Sequence, residues 1–165
     1  MLTADVIELL KPGPCGTLLV ITVGNPLRSD DGVGPYIAAQ AKKPKNGVII
    51  LDAGERPEDI LWKAIEVRPE RVVIIDAADF TGEPGEVRAI REEYMPENPI
   101  STHRFPLRVI SWLVTEDTGA RVDFICIQPE SVGFGERLSD TVRSSAEEIV
   151  MVLTPTRPQL TPESQ

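Results

Sequence analysis

Thr17–Gly34 reads TLLVITVGNPLRSDDGVG, an apolar, β-branched run that breaks at Gly24-Asn25-Pro26 and ends in two adjacent aspartates. A strand that is apolar at consecutive positions is covered on both faces, as strands are in parallel sheets flanked by helices. Two further runs share this character, Val48 to Leu51 and Val72 to Ile75, and a fourth, Val122 to Ile127, is nearly as apolar. Between the runs lie segments with helical spacing: Val33 to Lys43, Pro57 to Val67 with its proline at a favourable first-turn position, and Phe105 to Val114. Ser139 to Leu153 adds a last amphipathic helix, with Val142, Ala146, Ile149, Val150 and Leu153 on one side. After the third run, the turn Thr81-Gly82-Glu83-Pro84-Gly85 precedes Glu86 to Ile90, whose polar and apolar residues alternate as in an edge or antiparallel strand. The expected fold is therefore α/β, a single domain with a twisted, mainly parallel sheet, one antiparallel edge strand and helices on both faces.

The chain's 165 residues amount to one domain, expected to span residues 1–153 with an N-terminal helix over 3–11 that stops at Pro12-Gly13-Pro14. The tail from Thr154 to Gln165 is polar and rich in proline, and is expected to be disordered. A hydrophobic content of 41% supplies the core. The balance of 17 Lys and Arg against 26 Asp and Glu gives a net charge of -9, which argues against a nucleic-acid partner because phosphate binding needs cationic side chains. Cys15 lies in a Pro/Gly turn and Cys126 in an apolar run expected to be buried, which reads as a reduced, intracellular protein. The first residues lack the basic start and apolar stretch of a signal peptide, and no run approaches the roughly 20 apolar residues that span a bilayer. A soluble, cytoplasmic protein with no membrane insertion is expected.

In an open α/β sheet, ligands bind beyond the carboxyl ends of the parallel strands. The first three strands all run into acids there: Asp30 and Asp31 after the first, Asp52 and Glu55 after the second, Asp76 and Asp79 after the third. Carboxylates after strands also cap the helices that follow, so any one of them could be structural. Three strand ends converging on one rim favour a shared site, because clustered carboxylates persist where a metal or a shared proton offsets their repulsion. The chain's one histidine, His103, precedes the fourth strand and could return to the same rim. Two aspartates and one imidazole would make a mixed oxygen and nitrogen set for a divalent transition metal, with positions open to water or substrate. Dinucleotide and P-loop fingerprints and the G-x-S-x-G nucleophile elbow are all missing, and Cys126 inside a strand is a poor nucleophile.

These residues carry a family likeness. The sequence resembles the hydrogenase maturation endopeptidases, which trim the C-terminal extension from the large subunit of [NiFe] hydrogenases. Gly24-Asn25-Pro26 through Asp30-Asp31-Gly32-Val33-Gly34 matches the family's G-N-x-L-x-x-D-[DE]-G-x-G signature, and Asp52-Ala53-Gly54 its D-x-G element. Val72 to Ala77, the Gly82–Gly85 turn, Ser101-Thr102-His103 and Ile127-Gln128-Pro129-Glu130 follow in family order, over roughly Leu18 to Leu153. The likeness is to the subtype serving formate-hydrogenlyase-type, membrane-associated hydrogenases.

The resemblance implies a phosphorylase/hydrolase-like α/β fold and a nickel-contacting triad of Asp31, Asp76 and His103, with Asp52 as a further acid suspected of a catalytic part. Asp31, Asp52 and Asp76 are thus the candidate catalytic residues. Asp31 stands where some members carry Glu, which shortens that ligand by one methylene. The implied substrate is a large-subunit precursor already loaded with nickel, cut after a basic residue. The implied enzyme is grouped with aspartic-type peptidases and binds free nickel weakly because its substrate presents the metal; separately from the resemblance, a monomer is expected. Two other readings of the acid rim stand beside this one: a binding module without chemistry, and a metal-assisted hydrolase of small molecules.

Overall fold

The computed structural model describes residues 1–91 and 107–155. Five strands make one sheet in the order β2-β1-β3-β5-β4. β1 (Leu18–Val23), β2 (Val48–Gly54), β3 (Arg71–Ala77) and β5 (Arg121–Ile127) are parallel, and β4 (Val87–Arg91) closes one edge antiparallel to β5. The parallel sheet and its one antiparallel edge strand match the expectation from the sequence.

Alternation along the strands divides the core in two. Leu18 and Val20 of β1 with Val73 and Ile75 of β3 pack under α1 (Ala4–Leu9), α2 (Val33–Gln40) and α5 (Asp140–Leu153), through Val6, Ile37, Val142 and Ile149. Leu19 and Ile21 with Val72, Ile74 and Phe124 face the other way, toward Ala64 of α3 (Leu61–Val67) and Ile110 and Val114 of α4 (Leu107–Thr118). Each fully buried aliphatic or aromatic side chain contributes about 1.5–3 kcal/mol, so the doubly covered central strands carry most of the fold's stability.

Several boundaries differ from expectation. β2 is not covered on both faces: it is the other edge of the sheet, with Ile49 39% exposed. An apolar run of four residues does not distinguish a central strand from an edge strand. The segment from Pro57 splits into a 3₁₀ turn (Pro57–Ile60) and α3, which ends at Arg68 in a left-handed conformation, φ 49°. α2 stops at Gln40, short of Lys43, because the chain must turn back so that Lys45 N can donate to Leu153 O. α4 runs on to Thr118, where the left-handed Gly119 (φ 70°) ends it.

The N-terminal helix is integral to the fold. Arg71, at the start of β3, extends its guanidinium to the carbonyls of Glu8 (3.3 Å), Leu9 (3.1 Å) and Lys11, and so ties the end of α1 and the chain just after it to the sheet. Among the described residues no helix is long and apolar enough to cross a membrane.

Candidate functional site

β1 connects to β2 on one side through α2, and the chain then returns through α3 to β3 on the other side of β1. The sheet's switch point therefore lies between β1 and β3, where open α/β folds place their ligands. The 3₁₀ turn Ser29–Gly32, which leaves β1 and leads into α2, packs against β3 at that point.

This turn is built for close approach. Gly24 has φ 150°, and a Cβ there would lie 2.0 Å from Asp31 O. Asn25 N donates both to Asp31 O and to Asp31 Oδ2, each at 3.1 Å. A Cβ on Gly34 would lie 2.1 Å from Val23 O, so glycine there lets α2 start directly against β1. Ser29 is held at φ 52°, an uncommon conformation for a residue with a side chain, by bonds from its N to Gly135 O (2.7 Å) and from its Oγ to Gly133 O (3.0 Å).

The two adjacent aspartates have different surroundings. Asp30 is wholly buried and accepts four hydrogen bonds, from Glu130 N (2.9 Å), Ser131 N (3.0 Å), Ser139 N (2.7 Å) and Ser139 Oγ (3.0 Å). It ties the segment after β5, and the N-terminus of α5, to the turn after β1. The helix whose start it serves is α5, not the α2 that follows it in sequence. Asp31, 1% exposed, is the residue this clamp holds in place.

Asp76, 3% exposed, is the sixth residue of β3 and points to the side of α3 and α4, in phase with Val72 and Ile74. It lies across from Cys126 on β5. Burial, and then the neighbouring Asp76 charge, push the Cys126 thiol up to about 12, so this cysteine stays protonated at any physiological pH.

Asp52 stands apart from both. It is exposed, it shares the phase of Val48 and Ile50 and so leans to the α2 side, and its Oδ1 accepts from Thr22 Oγ1 and Gly54 N, each at 3.1 Å. A register shift between Thr22 and Val23 sets Asp52 opposite Thr22 and Gly54 opposite Val23. Asp31 and Asp76 are therefore both buried acids on the elements that flank the switch point, the 3₁₀ turn after β1 and the end of β3, with Asp52 at its outer margin. His103 lies outside the described residues, and so does the tail from 156. Among the described residues, no three His, Cys, Asp or Glu side chains are grouped to hold a metal.

Two further residues shape the rim. Gln128, the first residue after β5, accepts from Phe80 N (2.9 Å) and Gly82 N (3.1 Å) through Oε1 and donates to Asp79 Oδ1 (3.1 Å). Thr81 N and then Gln128 hold the Asp79 carboxyl below its usual range. Asn25 Nδ2 donates to Glu55 Oε1 at 2.6 Å and so links the turns after β1 and β2. The rule that selected the aspartates, inspection of the residue just after each apolar run, also selects Gln128. A neutral amide at that position drew no chemical argument from the sequence.

An α/β sheet with buried carboxylates at its switch point is the framework of a hydrolytic enzyme or of a ligand-binding module. Comparison with known proteins decides between them. The hydrogenase maturation protease family matches residues 35–156. The Hydrogenase 3 maturation protease of Escherichia coli K12 is 35% identical over 135 residues, covering 81% of this chain and 86% of that one. The crystal structure of a [NiFe] hydrogenase maturation protease HycI from Thermococcus kodakarensis superposes with a TM-score of 0.77 at 31% identity, over 89% of this chain and 94% of that one. The solution structure of the endopeptidase HycI from E. coli gives 0.73 at 34% identity, over 81% and 86%. The chain belongs to the hydrogenase maturation proteases and is thus a hydrolase of peptide bonds.

Proposed function

We propose that this protein removes the C-terminal extension from a [NiFe]-hydrogenase large-subunit precursor that already carries nickel, and that Asp31, Asp76 and His103 recognise that metal. The observation that carries the reading is the pair of buried carboxylates, Asp31 in the turn after β1 and Asp76 at the end of neighbouring β3, at the switch point of a sheet shared with hydrogenase maturation proteases.

The chain's path supports a role for His103. It precedes Leu107, the first residue of α4, by four positions. α4 ends two residues before β5 begins, so it runs back along the sheet and starts at the rim where the parallel strands end. Four residues reach at most about 14 Å, a span over which His103 stays at the rim where α4 starts and where β3, which carries Asp76, ends. Two carboxylates and an imidazole suit a divalent transition metal that retains bonds to its own protein.

The substrate's nickel acts first as a recognition element that sets the scissile peptide over the acids. A water then adds to the peptide carbonyl as its proton passes to a carboxylate, the resulting carboxylic acid gives that proton to the amide nitrogen, and the C–N bond breaks to leave a carboxylate on the large subunit and a free amine on the released extension. Asp76 is the better-placed base, being buried at the switch point, whereas Asp52 lies at the margin. Nickel polarising the water and an aspartic-type carboxylate pair are both compatible with this arrangement. Because the substrate brings the metal, the free enzyme needs only weak affinity for nickel. We place the reaction in the cytoplasm; among the described residues no helix is long and apolar enough to cross a membrane.

The test is cleavage of nickel-loaded precursor by the wild type beside Asp31→Asn, Asp76→Asn and His103→Gln, read by the mass of the large subunit. Loss of cleavage in all three, with wild-type melting temperatures, is the expected result. Full activity in any one of them removes that residue from the metal set.

A further inference from the structure

Phe134 is 92% exposed and Leu27 47%, yet both stand on firmly bonded backbone. Gly135 N donates to Leu27 O (2.9 Å), and Arg28 Nε reaches Val132 O (3.3 Å). Arg28 and Gly135 form a parallel bridge, which brings the residues before them, Leu27 and Phe134, alongside each other. The Ser29 bonds and the Asp30 clamp fasten the same two segments from below. Single apolar side chains on a surface need no explanation. Two large ones side by side on a rigid support, one on the turn that carries Asp31 and the other on the segment bridged to it, make a preorganised anchor that loses little entropy when it is covered.

We propose that Leu27 and Phe134 form a docking platform for the hydrogenase large-subunit precursor, seating apolar side chains that flank its scissile bond. The proposal rests on the protease reading above. Position identifies the occupant: Leu27 lies four residues before Asp31 on one turn, and Phe134 stands on the segment after β5 that is bonded to that turn, so a polypeptide held for cleavage over Asp31 has Leu27 and Phe134 within reach of its flanking residues. An extended chain advances about 3.3–3.6 Å per residue, so a few substrate residues on one side of the cut bridge the gap. Specificity then comes from two separate features, a metal read by the buried acids and an apolar segment read by the platform.

The test follows cleavage and equilibrium binding of nickel-loaded precursor by the wild type, Phe134→Ser, Leu27→Ser, Phe134→Leu and Met151→Ser. Met151 is also exposed, but it lies near the far end of α5, about 16 Å of helix from the rim. Phe134→Ser is expected to raise KM and Kd by roughly tenfold to a hundredfold, as loss of one buried aromatic contact would, with kcat and melting temperature unchanged. Leu27→Ser gives a smaller rise in the same direction, Phe134→Leu restores most of the affinity, and Met151→Ser has no effect. Unchanged KM in Phe134→Ser, or a fall in kcat instead, overturns the platform while leaving the protease reading intact. So does a variant that loses self-association but cuts normally, since the platform would then seat a second copy of this chain. A wild type that neither binds nor cuts the precursor overturns the protease reading, and the platform with it.

Discussion

Replacing Asp30 with asparagine tests whether the paired aspartates divide into a clamp and a reactive group. Asp30 is wholly buried; its Oδ2 accepts from Glu130 N, Ser131 N and Ser139 Oγ, and its Oδ1 from Ser139 N at 2.7 Å. An asparagine best keeps its oxygen at the Oδ2 position, which turns its amide NH2 against the Ser139 N–H. One charge-assisted bond is lost outright, at about 1.5–3 kcal/mol, and the other three weaken because a neutral acceptor binds roughly half as strongly. The sum is about 4–7 kcal/mol, which lowers the melting temperature of a domain this size by about 8–28 °C. Thermal and urea unfolding followed by circular dichroism measure the loss. Hydrogen exchange locates it, with the amides of Glu130, Ser131 and Ser139 exchanging faster than in the wild type. Asp31→Asn, one residue on, should retain most of the stability and lose cleavage. A shift below about 3 °C in Asp30→Asn, with those amides still protected, would refute the claim that this carboxylate holds the rim together.

Other perturbations report on neighbouring parts of the account. In the native protein at pH 8, iodoacetamide should modify exposed Cys15 and spare buried Cys126, whose thiol lies near 12, while both react in urea; equal native labelling contradicts the burial. Because the folded-state value of Cys126 is raised, its contribution to stability is complete below the unfolded thiol's pKa of about 8.5 and is lost as the pH rises toward the folded value, so Cys126→Ala should flatten the alkaline limb of the stability profile. Gln128→Leu leaves Phe80 N and Gly82 N without their acceptor and should cost about 2–4 kcal/mol in urea unfolding. It also removes one of the two bonds that lower Asp79, so the Asp79 carboxyl should titrate closer to its usual range by NMR. Gly34→Ala drives a methyl group into Val23 O and should destabilise by about 3 kcal/mol or more, or yield insoluble protein.

The strands and the layering were legible because parallel strands covered on both faces leave long apolar runs. Thr17 to Val23 and Val72 to Ile75 correspond to β1 and β3 at the centre of the sheet. Position within the sheet was not legible: Val48 to Leu51 is as apolar as the others, yet β2 is an edge strand, since strand order depends on crossovers that no local pattern records. The acids at strand ends were legible through the rule that ligands gather there. The division of labour between Asp30 and Asp31 was not, because Asp30's partners lie about a hundred positions away, at Glu130, Ser131 and Ser139. The outlying position of Asp52 follows from its phase in β2 and from the register shift beside Val23, which only the paired strands reveal.

The most direct test of the central claim offers the wild-type protein two versions of one hydrogenase large-subunit precursor from the same cells, nickel-loaded and nickel-free, and follows the C-terminal extension by mass spectrometry. The account predicts that the extension leaves the loaded precursor alone, in a single cut, with free nickel in solution no substitute for loading. Cleavage of both precursors at equal rates, or of neither by well-folded protein, would contradict it.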